Sequence, residues 1–342
     1  FSSRRRHTRF RNVTGVQTCA LPIRWSDELC DLFGVPAAAL PEVRPSCGRF
    51  GTVAGSAVAD LAGVPVSAIV GDQHAALFGQ ACFDQGMAKV TFGTGSFVLL
   101  HAGGTCPPPV DGLITTIAWD LGTEGDVAIG ADGGPRPGRT SLAYAVEGSV
   151  FVAGAGVQWL RDGLGIIGAS ADLEPLARTV ESSDGVTIVP AFAGLGSPDW
   201  DPAARGTITG LSRGSGRAQL ARAMIEAMGF QVRDVLDAMA ASGVAPASVR
   251  VDGGAAVMDL LLQHLADQSR LEVSRPRSVE TTALGPAMGV WSGLDDLAAR
   301  WSEDAAFRPA LDPVLADAGH ADRKSTRLNS SHVSESRMPS SA

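Results

Sequence analysis

An acidic residue with polar neighbours stands between two apolar segments, in the triplet Asp72-Gln73-His74. Residues 64–70 before it read as a buried strand, and residues 73–83 after it have helical composition. Because ligands of open α/β sheets meet the carboxyl ends of strands, Asp72 occupies a position typical of a catalytic carboxylate. Capping of the following helix is an equally good role for an aspartate at this place. His74 is expected to be packed or solvated, since no second metal-type ligand lies at suitable spacing.

Three glycine-rich turns are the second feature that could take part in chemistry. They are Gly93-Thr94-Gly95-Ser96, Gly154-Ala155-Gly156 and Asp252-Gly253-Gly254-Ala255. Glycine lets a backbone N–H approach a phosphate closely, and a threonine hydroxyl adds a donor. Taken singly, each turn is better explained as a tight loop, but three of them at separate junctions favour convergence on one ligand. None matches the dinucleotide-binding fingerprint or the Walker A loop, so a different mode of nucleotide binding is implied.

The elements that must position these residues alternate between strands and helices. Residues 88–92 and 97–100 predict a hairpin around the first glycine turn. Further short strands are predicted at 113–118, 186–189, 249–251 and 271–273, and helices at 151–164 and 218–239. Residues 121–140 are rich in Gly, Asp and Pro and predict an exposed loop. The alternation indicates an α/β fold with helices on both faces of a sheet.

The charge of this 342-residue chain is unevenly distributed. Residues 1–24 contain six arginines and no acid, and residues 321–342 contain four basic and two acidic residues, whereas the stretch between them has a net charge of −16. Such an acidic body repels nucleic acid and anionic membrane surfaces, and no apolar stretch reaches the roughly 18 to 20 residues that span a bilayer. We therefore expect that the protein does not bind nucleic acid and that the chain has no integral membrane segment.

The two basic ends also differ from the body in lacking apolar periodicity. We expect residues 1–24 to be a non-native leader and residues 321–342 a non-native tail of an open-ended fragment, with a basic binding or localisation arm as the alternative. The five cysteines and six histidines are dispersed and form no zinc-site pattern, which favours a reducing, cytoplasmic location.

Several of these segments, in this order, resemble the FGGY family of carbohydrate kinases over about residues 30 to 320. The resemblance includes all three glycine-rich turns and several segments between them. It rests on Gly71-Asp72-Gln73-His74-Ala75-Ala76-Leu77-Phe78-Gly79-Gln80, Thr91-Phe92-Gly93-Thr94-Gly95, Tyr144-Ala145-Val146-Glu147-Gly148, Gly154-Ala155-Gly156-Val157-Gln158-Trp159-Leu160-Arg161, the loop from Phe192 to Trp200, and Val251-Asp252-Gly253-Gly254. Within the family, the likeness is greatest to members that phosphorylate glycerol.

The resemblance implies a ribonuclease H-like fold of the actin and hexokinase type. It assigns residues 25–81 to the remnant of an N-terminal domain that carries Asp72, and residues 82–320 to a C-terminal nucleotide-binding domain. The implied ligands are ATP, Mg²⁺ and glycerol, and family members commonly form homo-oligomers.

The resemblance also implies individual roles. Asp72 would be the catalytic base and a ligand of Mg²⁺, Gln73 would hydrogen-bond a glycerol hydroxyl, and Phe97 would cover the carbon backbone. Thr94, with Gly93 and Gly95, would hold the β and γ phosphates. The nucleotide site would be lined by Gly154, Gln158, Gly254, Ala255 and Met258.

Three departures from the family pattern leave alternatives open. Met258 stands where the family usually has asparagine, and residues 121–140 are longer than usual. The largest departure is truncation, since the family's first half, with its own phosphate loop, has no counterpart. We therefore expect this chain alone to be inactive, because two-domain closure positions phosphoryl transfer. The alternatives are a kinase of the same family that acts on a pentulose, and a non-catalytic actin-like nucleotide-binding module.

Overall fold

The computed structural model describes residues 25–56, 59–122, 142–278, 281–283, 285 and 294–335. It begins with helix α1 (Asp27–Phe33), which starts where the Ser26 side chain accepts a hydrogen bond from the Leu29 amide and ends at Gly34 in a left-handed conformation. Strands β1 (Cys47–Thr52) and β2 (Pro65–Ala68) then pair antiparallel in a sheet of their own. Helix α2 (Asp72–Gly79) follows directly after Gly71.

In the described part of the chain, seven strands form a large central sheet. In chain order, these strands are β3 (Met87–Phe92), β4 (Ser96–Gly103), β5 (Ile114–Asp120), β6 (Leu142–Val150), β9 (Ser248–Gly253), β10 (Val273–Pro276) and β11 (Glu303–Phe307). Their spatial order is β11-β10-β9-β3-β4-β6-β5. Strand β3 pairs parallel with β9 on one side and antiparallel with β4 on the other. Strand β3 is therefore the place where the parallel strands β10, β9 and β3 meet the antiparallel strands β4, β6 and β5, and it carries the first glycine turn at its end.

Helices cover both faces of this sheet. The other α-helices and strands of the described residues are α3 (Gly154–Gln158), α4 (Leu173–Ala177), the small antiparallel pair β7 (Thr187–Val189) and β8 (Thr207–Thr209), α5 (Arg217–Ala240), α6 (Asp259–Ser269), α7 (Leu294–Arg300) and α8 (Pro313–Glu335). Helix α5 places Met224, Met228 and Val235 in the larger hydrophobic core, each at most 1% exposed. Burial of such side chains contributes about 1.5–3 kcal/mol each. On the opposite face, Leu77 and Phe78 of α2 pack in a second core against Leu99 and Trp119.

The structure confirms the α/β fold, the hairpin and the long helix, and it corrects the prediction for residues 64–70. Only Pro65–Ala68 form a strand, and this strand belongs to the small β1–β2 sheet rather than to the central one. Val64 and Ile69 are 44% and 58% exposed. An apolar run shows that a segment suits a strand but does not show which sheet it joins. Asp72 therefore does not follow a buried strand of the central sheet.

Two further sequence predictions concern the ends and the long loop. Helix α8 continues from Pro313 through position 321 to Glu335, and Arg323 contacts Asp234 in α5. The assignment of residues 321–342 to a non-native tail stays a prediction. The predicted leader at 1–24 and most of the predicted loop at 121–140 lie outside the described residues. None of the helices in the described ranges has the length and apolar character that a bilayer crossing requires.

Candidate active site

The first glycine turn joins β3 to β4 and is closed by backbone hydrogen bonds. Phe92 pairs with Ser96 across the hairpin, and the Gly93 amide donates to the Gly95 carbonyl at 2.8 Å. Gly93 and Thr94 are exposed at the tip. The Thr94 hydroxyl is therefore positioned on an accessible turn, as phosphate binding would require.

The second glycine loop is bound to the first one. The Gly93 carbonyl accepts from the Gly154 amide at 3.0 Å, and the Thr94 carbonyl accepts from the amides of Ala153 and Ala155, each at 2.9 Å. A Cβ on Gly154 would lie 2.6 Å from the Gly93 oxygen, so this position requires glycine. Because these three amides at the start of α3 donate to the turn, a phosphate at this place must be held by other donors.

The third glycine loop reaches the same end of the sheet through strand pairing. Asp252 and Gly253 of β9 lie opposite Thr91 and Phe92 of β3. Gly253 has φ +86°, and a Cβ there would lie 2.3 Å from the Phe92 carbonyl oxygen. A Cβ on Gly254 would have no heavy atom within 4 Å, so this residue faces open space. The three predicted loops therefore converge where β3 and β9 end.

The remaining predicted nucleotide residues differ in exposure. Gln158 is exposed at the end of α3, one turn beyond Gly154, whereas Ala255 is 9% exposed. Met258 is 7% exposed and packs in the larger core, while its neighbour Val257 is 65% exposed. Of these last two residues, Val257 is the one whose side chain is open to a ligand.

Asp72 is the first residue of α2 and is exposed. Its Oδ1 accepts from the Gln73 amide at 2.8 Å, and its Oδ2 lies 3.5 Å from Gln73 Nε2. The partial positive charge at a helix start stabilises a carboxylate. Gly71, not Asp72, is the N-cap of this helix, and no side chain caps it, so the predicted capping role of Asp72 is wrong. The Asp72 carboxylate accepts from the amide that follows it and stays accessible to a reactant.

A buried lysine, which the sequence analysis did not single out, connects α2 to β3. Lys89 is completely buried, and its Nζ donates to Gln73 Oε1 and, at 2.7 Å, to Thr91 Oγ1. Burial lowers the pKa of Lys89 to about 8, although the negative charges of Asp252 and Glu147 oppose that effect. The sequence signal was a single basic residue in an apolar strand, which is unusual for a residue type that is rarely buried.

Phe97 and His74 adjoin this group. Phe97 is 38% exposed and lies directly opposite Thr91, so both side chains point to the face of the sheet that α2 covers. The His74 ring is half-buried, with Nε2 3.4 Å from Thr116 Oγ1. Burial lowers the pKa of His74, the charge of Lys89 adds to the lowering, and Asp72 opposes it. The structure therefore brings Asp72, Gln73 and Phe97 together around Lys89 and Thr91.

The donor set is compatible with a magnesium ion held mainly by a nucleotide. Within the part of the chain that the structure describes, no three His, Cys, Asp or Glu side chains are grouped to hold a metal by themselves. Magnesium in phosphotransfer sites uses one or two carboxylates and completes its shell with phosphate and water oxygens. The exposed carboxylate of Asp72 fits that limited requirement.

Comparison with known proteins agrees with this geometry. The C-terminal domain of the FGGY family of carbohydrate kinases matches residues 88–290, and its N-terminal domain matches residues 21–79. Glycerol kinase from Deinococcus radiodurans is 48% identical over an alignment of 294 residues that covers 84% of this chain and 55% of that protein. Glycerol kinase from Bdellovibrio bacteriovorus is 47% identical over 296 residues, covering 84% of this chain and 56% of that protein. The chain thus spans little more than half the length of these relatives.

Solved structures show the same fold. A Plasmodium falciparum glycerol kinase structure with ADP superposes with a TM-score of 0.79 at 29% identity, over 90% of this chain and 60% of that one. Xylulose kinase from Rhodospirillum rubrum, at 22% identity, has a TM-score of 0.70 over 91% and 61% of the two chains. The fold is that of the actin and hexokinase type of ATPase. On the extent of the family match and the identity to these relatives, the chain belongs to the FGGY family of carbohydrate kinases.

Proposed function

We propose that this protein transfers the γ-phosphoryl group of ATP to glycerol and forms glycerol 3-phosphate. The observation that carries the substrate is the 45% to 48% identity to bacterial proteins named glycerol kinase, over more than four fifths of this chain. The accessible Asp72 carboxylate beside Gln73 supplies the chemical group that such a reaction needs.

In the proposed reaction, a terminal hydroxyl oxygen of glycerol attacks the γ-phosphorus of ATP. The new oxygen–phosphorus bond forms as the bond to the β,γ-bridging oxygen breaks, and ADP leaves. Asp72 accepts the hydroxyl proton, Gln73 hydrogen-bonds the same substrate, and Phe97 contacts its carbon backbone. General-base assistance of this type contributes about 10² to 10⁴ in rate.

The glycine loops are proposed to hold the nucleotide. Thr94, with Gly93 and Gly95, contacts the β and γ phosphates. The adenosine side is bounded by Gly154, Gln158, Gly254, Ala255 and the segment at Met258, whose side chain lies in the core. Asp72 would be the protein ligand of Mg²⁺, and the bound ion would neutralise charge on the phosphates.

The test is glycerol-dependent ADP formation, with glycerol 3-phosphate identified by phosphorus NMR. The assay uses this chain and, in parallel, a fusion in which the preceding part of the Deinococcus radiodurans relative is joined to it. The earlier expectation that the chain alone is inactive is tested by the first preparation. In any active preparation, Asp72→Asn is expected to lower kcat about 10²- to 10⁴-fold. A fusion that is folded and binds ADP, yet forms no glycerol 3-phosphate, would contradict the proposed function.

A substrate panel separates glycerol from the sugars of related kinases. Faster turnover of D-xylulose than of glycerol would assign the protein to pentulose phosphorylation instead. Retained ADP binding with no turnover on any polyol would favour the non-catalytic module. A cytoplasmic location and self-association are further proposals, and sedimentation velocity tests the latter.

A further inference from the structure

Lys89 occupies a buried position that links the second residue of α2 to the central sheet. It lies on β3, directly opposite Leu99 of β4 and Arg250 of β9, on the face covered by α2. Among the described residues, Lys89 Nζ donates to Gln73 Oε1 and Thr91 Oγ1. Burial of an ammonium group costs free energy unless the group is paired and hydrogen-bonded. A buried lysine in contact with Gln73 therefore indicates a specific role.

The chemistry of an ammonium group fixes the direction of the Gln73 amide. An ammonium group has three donors and no acceptor, so it can bind only the oxygen of a carboxamide. With a pKa of about 8, Lys89 is mostly protonated at neutral pH. The Gln73 oxygen therefore faces Lys89, and its NH₂ group faces away, with Nε2 3.5 Å from Asp72 Oδ2.

We propose that Lys89 is a positioning residue that holds Gln73 as a hydrogen-bond donor, so that a substrate hydroxyl must accept from Gln73 and direct its own proton to Asp72. This inference rests on the proposed phosphorylation of glycerol. The resulting hydrogen bonds run in one direction, from Lys89 to Gln73, from Gln73 to the hydroxyl oxygen, and from that hydroxyl to the carboxylate. A reversed Gln73 amide would instead take the hydroxyl proton and leave the base without it.

The composition of the chain supports a specific need for lysine at this place. The sequence contains 26 arginines and only two lysines, Lys89 and Lys324. On the same face of the sheet, Arg250 donates to the carbonyls of Gln80 and Ala81 and stacks 3.6 Å from the centre of the Trp301 ring. An arginine fork suits those spread acceptors, whereas the two close acceptors at Lys89 suit a compact ammonium group.

The first test observes Gln73 directly and needs no activity. In the full chain labelled with ¹⁵N-glutamine, the Gln73 side-chain amide is assigned by its loss in Gln73→Leu. Lys89→Met is expected to shift and broaden that signal because the amide is no longer held in one orientation. Thr91→Val is the matched control, since it removes the other acceptor of Lys89 and should leave the signal narrow. An unchanged Gln73 signal in a folded Lys89→Met chain overturns the proposal.

The second test measures the effect on glycerol turnover in the active preparation. Lys89→Met is expected to lower kcat/KM for glycerol about 10- to 100-fold, the size of a lost charge-assisted hydrogen bond, with the KM for ATP unchanged within about twofold. In a Gln73→Leu background the same change should add little, because Lys89 acts through Gln73. Fully additive losses would overturn the positioning role.

A second variant covers the case in which Lys89→Met does not fold. Gln73→Glu keeps an oxygen toward Lys89 but removes the donor, so the chain should fold while kcat/KM for glycerol falls by at least tenfold. Wild-type activity from Gln73→Glu would refute the donor assignment. If the wild-type fusion folds and binds ADP but has no glycerol activity, the proposed function fails, whereas the NMR comparison on the chain still decides whether Lys89 orients Gln73.

Discussion

The environment of His264 leads to a quantitative prediction about pH and stability. The imidazole ring lies on α6, with its plane at 86° to the Phe230 ring and the two centroids 4.8 Å apart. Its Nε2 atom is buried and has no hydrogen-bond partner within the described residues. Burial lowers the pKa of His264 to about 4, the charge of Arg222 adds to the lowering, and Asp267 opposes it.

The expected magnitude follows from proton linkage. The ordinary pKa of histidine is 6.5, so the unfolded chain binds a proton at His264 as the pH falls through that value, while the folded chain does not until about pH 4. The free energy of unfolding must therefore decrease as the pH falls from 6.5 to 4, by up to about 1.4 kcal/mol for each pH step of one. The loss due to His264 is about 3 kcal/mol in total, and it is absent above this window.

Urea unfolding of the wild-type chain and of His264→Leu at pH 7, 6, 5 and 4 measures this contribution. Carboxylates and the other buried histidines titrate in both proteins, so the difference between the two pH profiles isolates His264. We expect the decrease in unfolding free energy between pH 7 and pH 4 to be about 3 kcal/mol smaller in the variant. Parallel profiles would show that the folded protein accommodates a charged imidazole at this position and would refute the reasoning.

Three further substitutions test the site. Gly154→Ala places a Cβ 2.6 Å from the Gly93 carbonyl oxygen, so it should lower the free energy of urea unfolding by about 1–3 kcal/mol. A stability equal to wild type would show that the turn moves to accommodate the methyl group. A Cβ added by Gly254→Ala would have no heavy atom within 4 Å, so the free energy of unfolding should change by less than about 0.5 kcal/mol. The same substitution should weaken ADP binding in calorimetry, and an unchanged affinity would remove Gly254 from the nucleotide site. The Phe97 side chain is 38% exposed, so Phe97→Ala should mainly raise the KM for glycerol and should cost less stability than loss of a buried aromatic side chain. An unchanged KM would contradict the proposed contact between Phe97 and glycerol.

The elements with a strong local pattern were predictable from the sequence. The apolar stripe of α5 repeats at helical spacing, and the structure forms a helix there from Arg217 to Ala240. The hairpin of β3 and β4 was marked by two β-prone runs around a glycine turn. Residues 151–164 were less regular than predicted, because α3 ends at Gln158 and a single π-helical turn covers Trp159–Gly163.

Contacts between distant parts of the chain were not predictable in the same way. The pairing of β2 with β1 rather than with the central sheet depends on which edge is available, and an apolar run carries no information about that. The link from Lys89 to Gln73 joins residues 16 positions apart, and its meaning appears only once α2 lies over β3. The position of Met258 in the core likewise follows from packing of the α6 start, which motif comparison does not reveal.

Two glycines where the three loops converge, Gly154 and Gly253, are explained by the packing of the protein itself. Gly154 and Gly253 are required by neighbouring carbonyl oxygens of the protein itself, whether or not a nucleotide is present. A descendant that lost phosphotransfer but kept its fold would be under the same steric constraint and would retain both. These glycines therefore diagnose ancestry and architecture, whereas the identities at positions 72, 73 and 89 are the ones that should drift first when catalysis is no longer under selection.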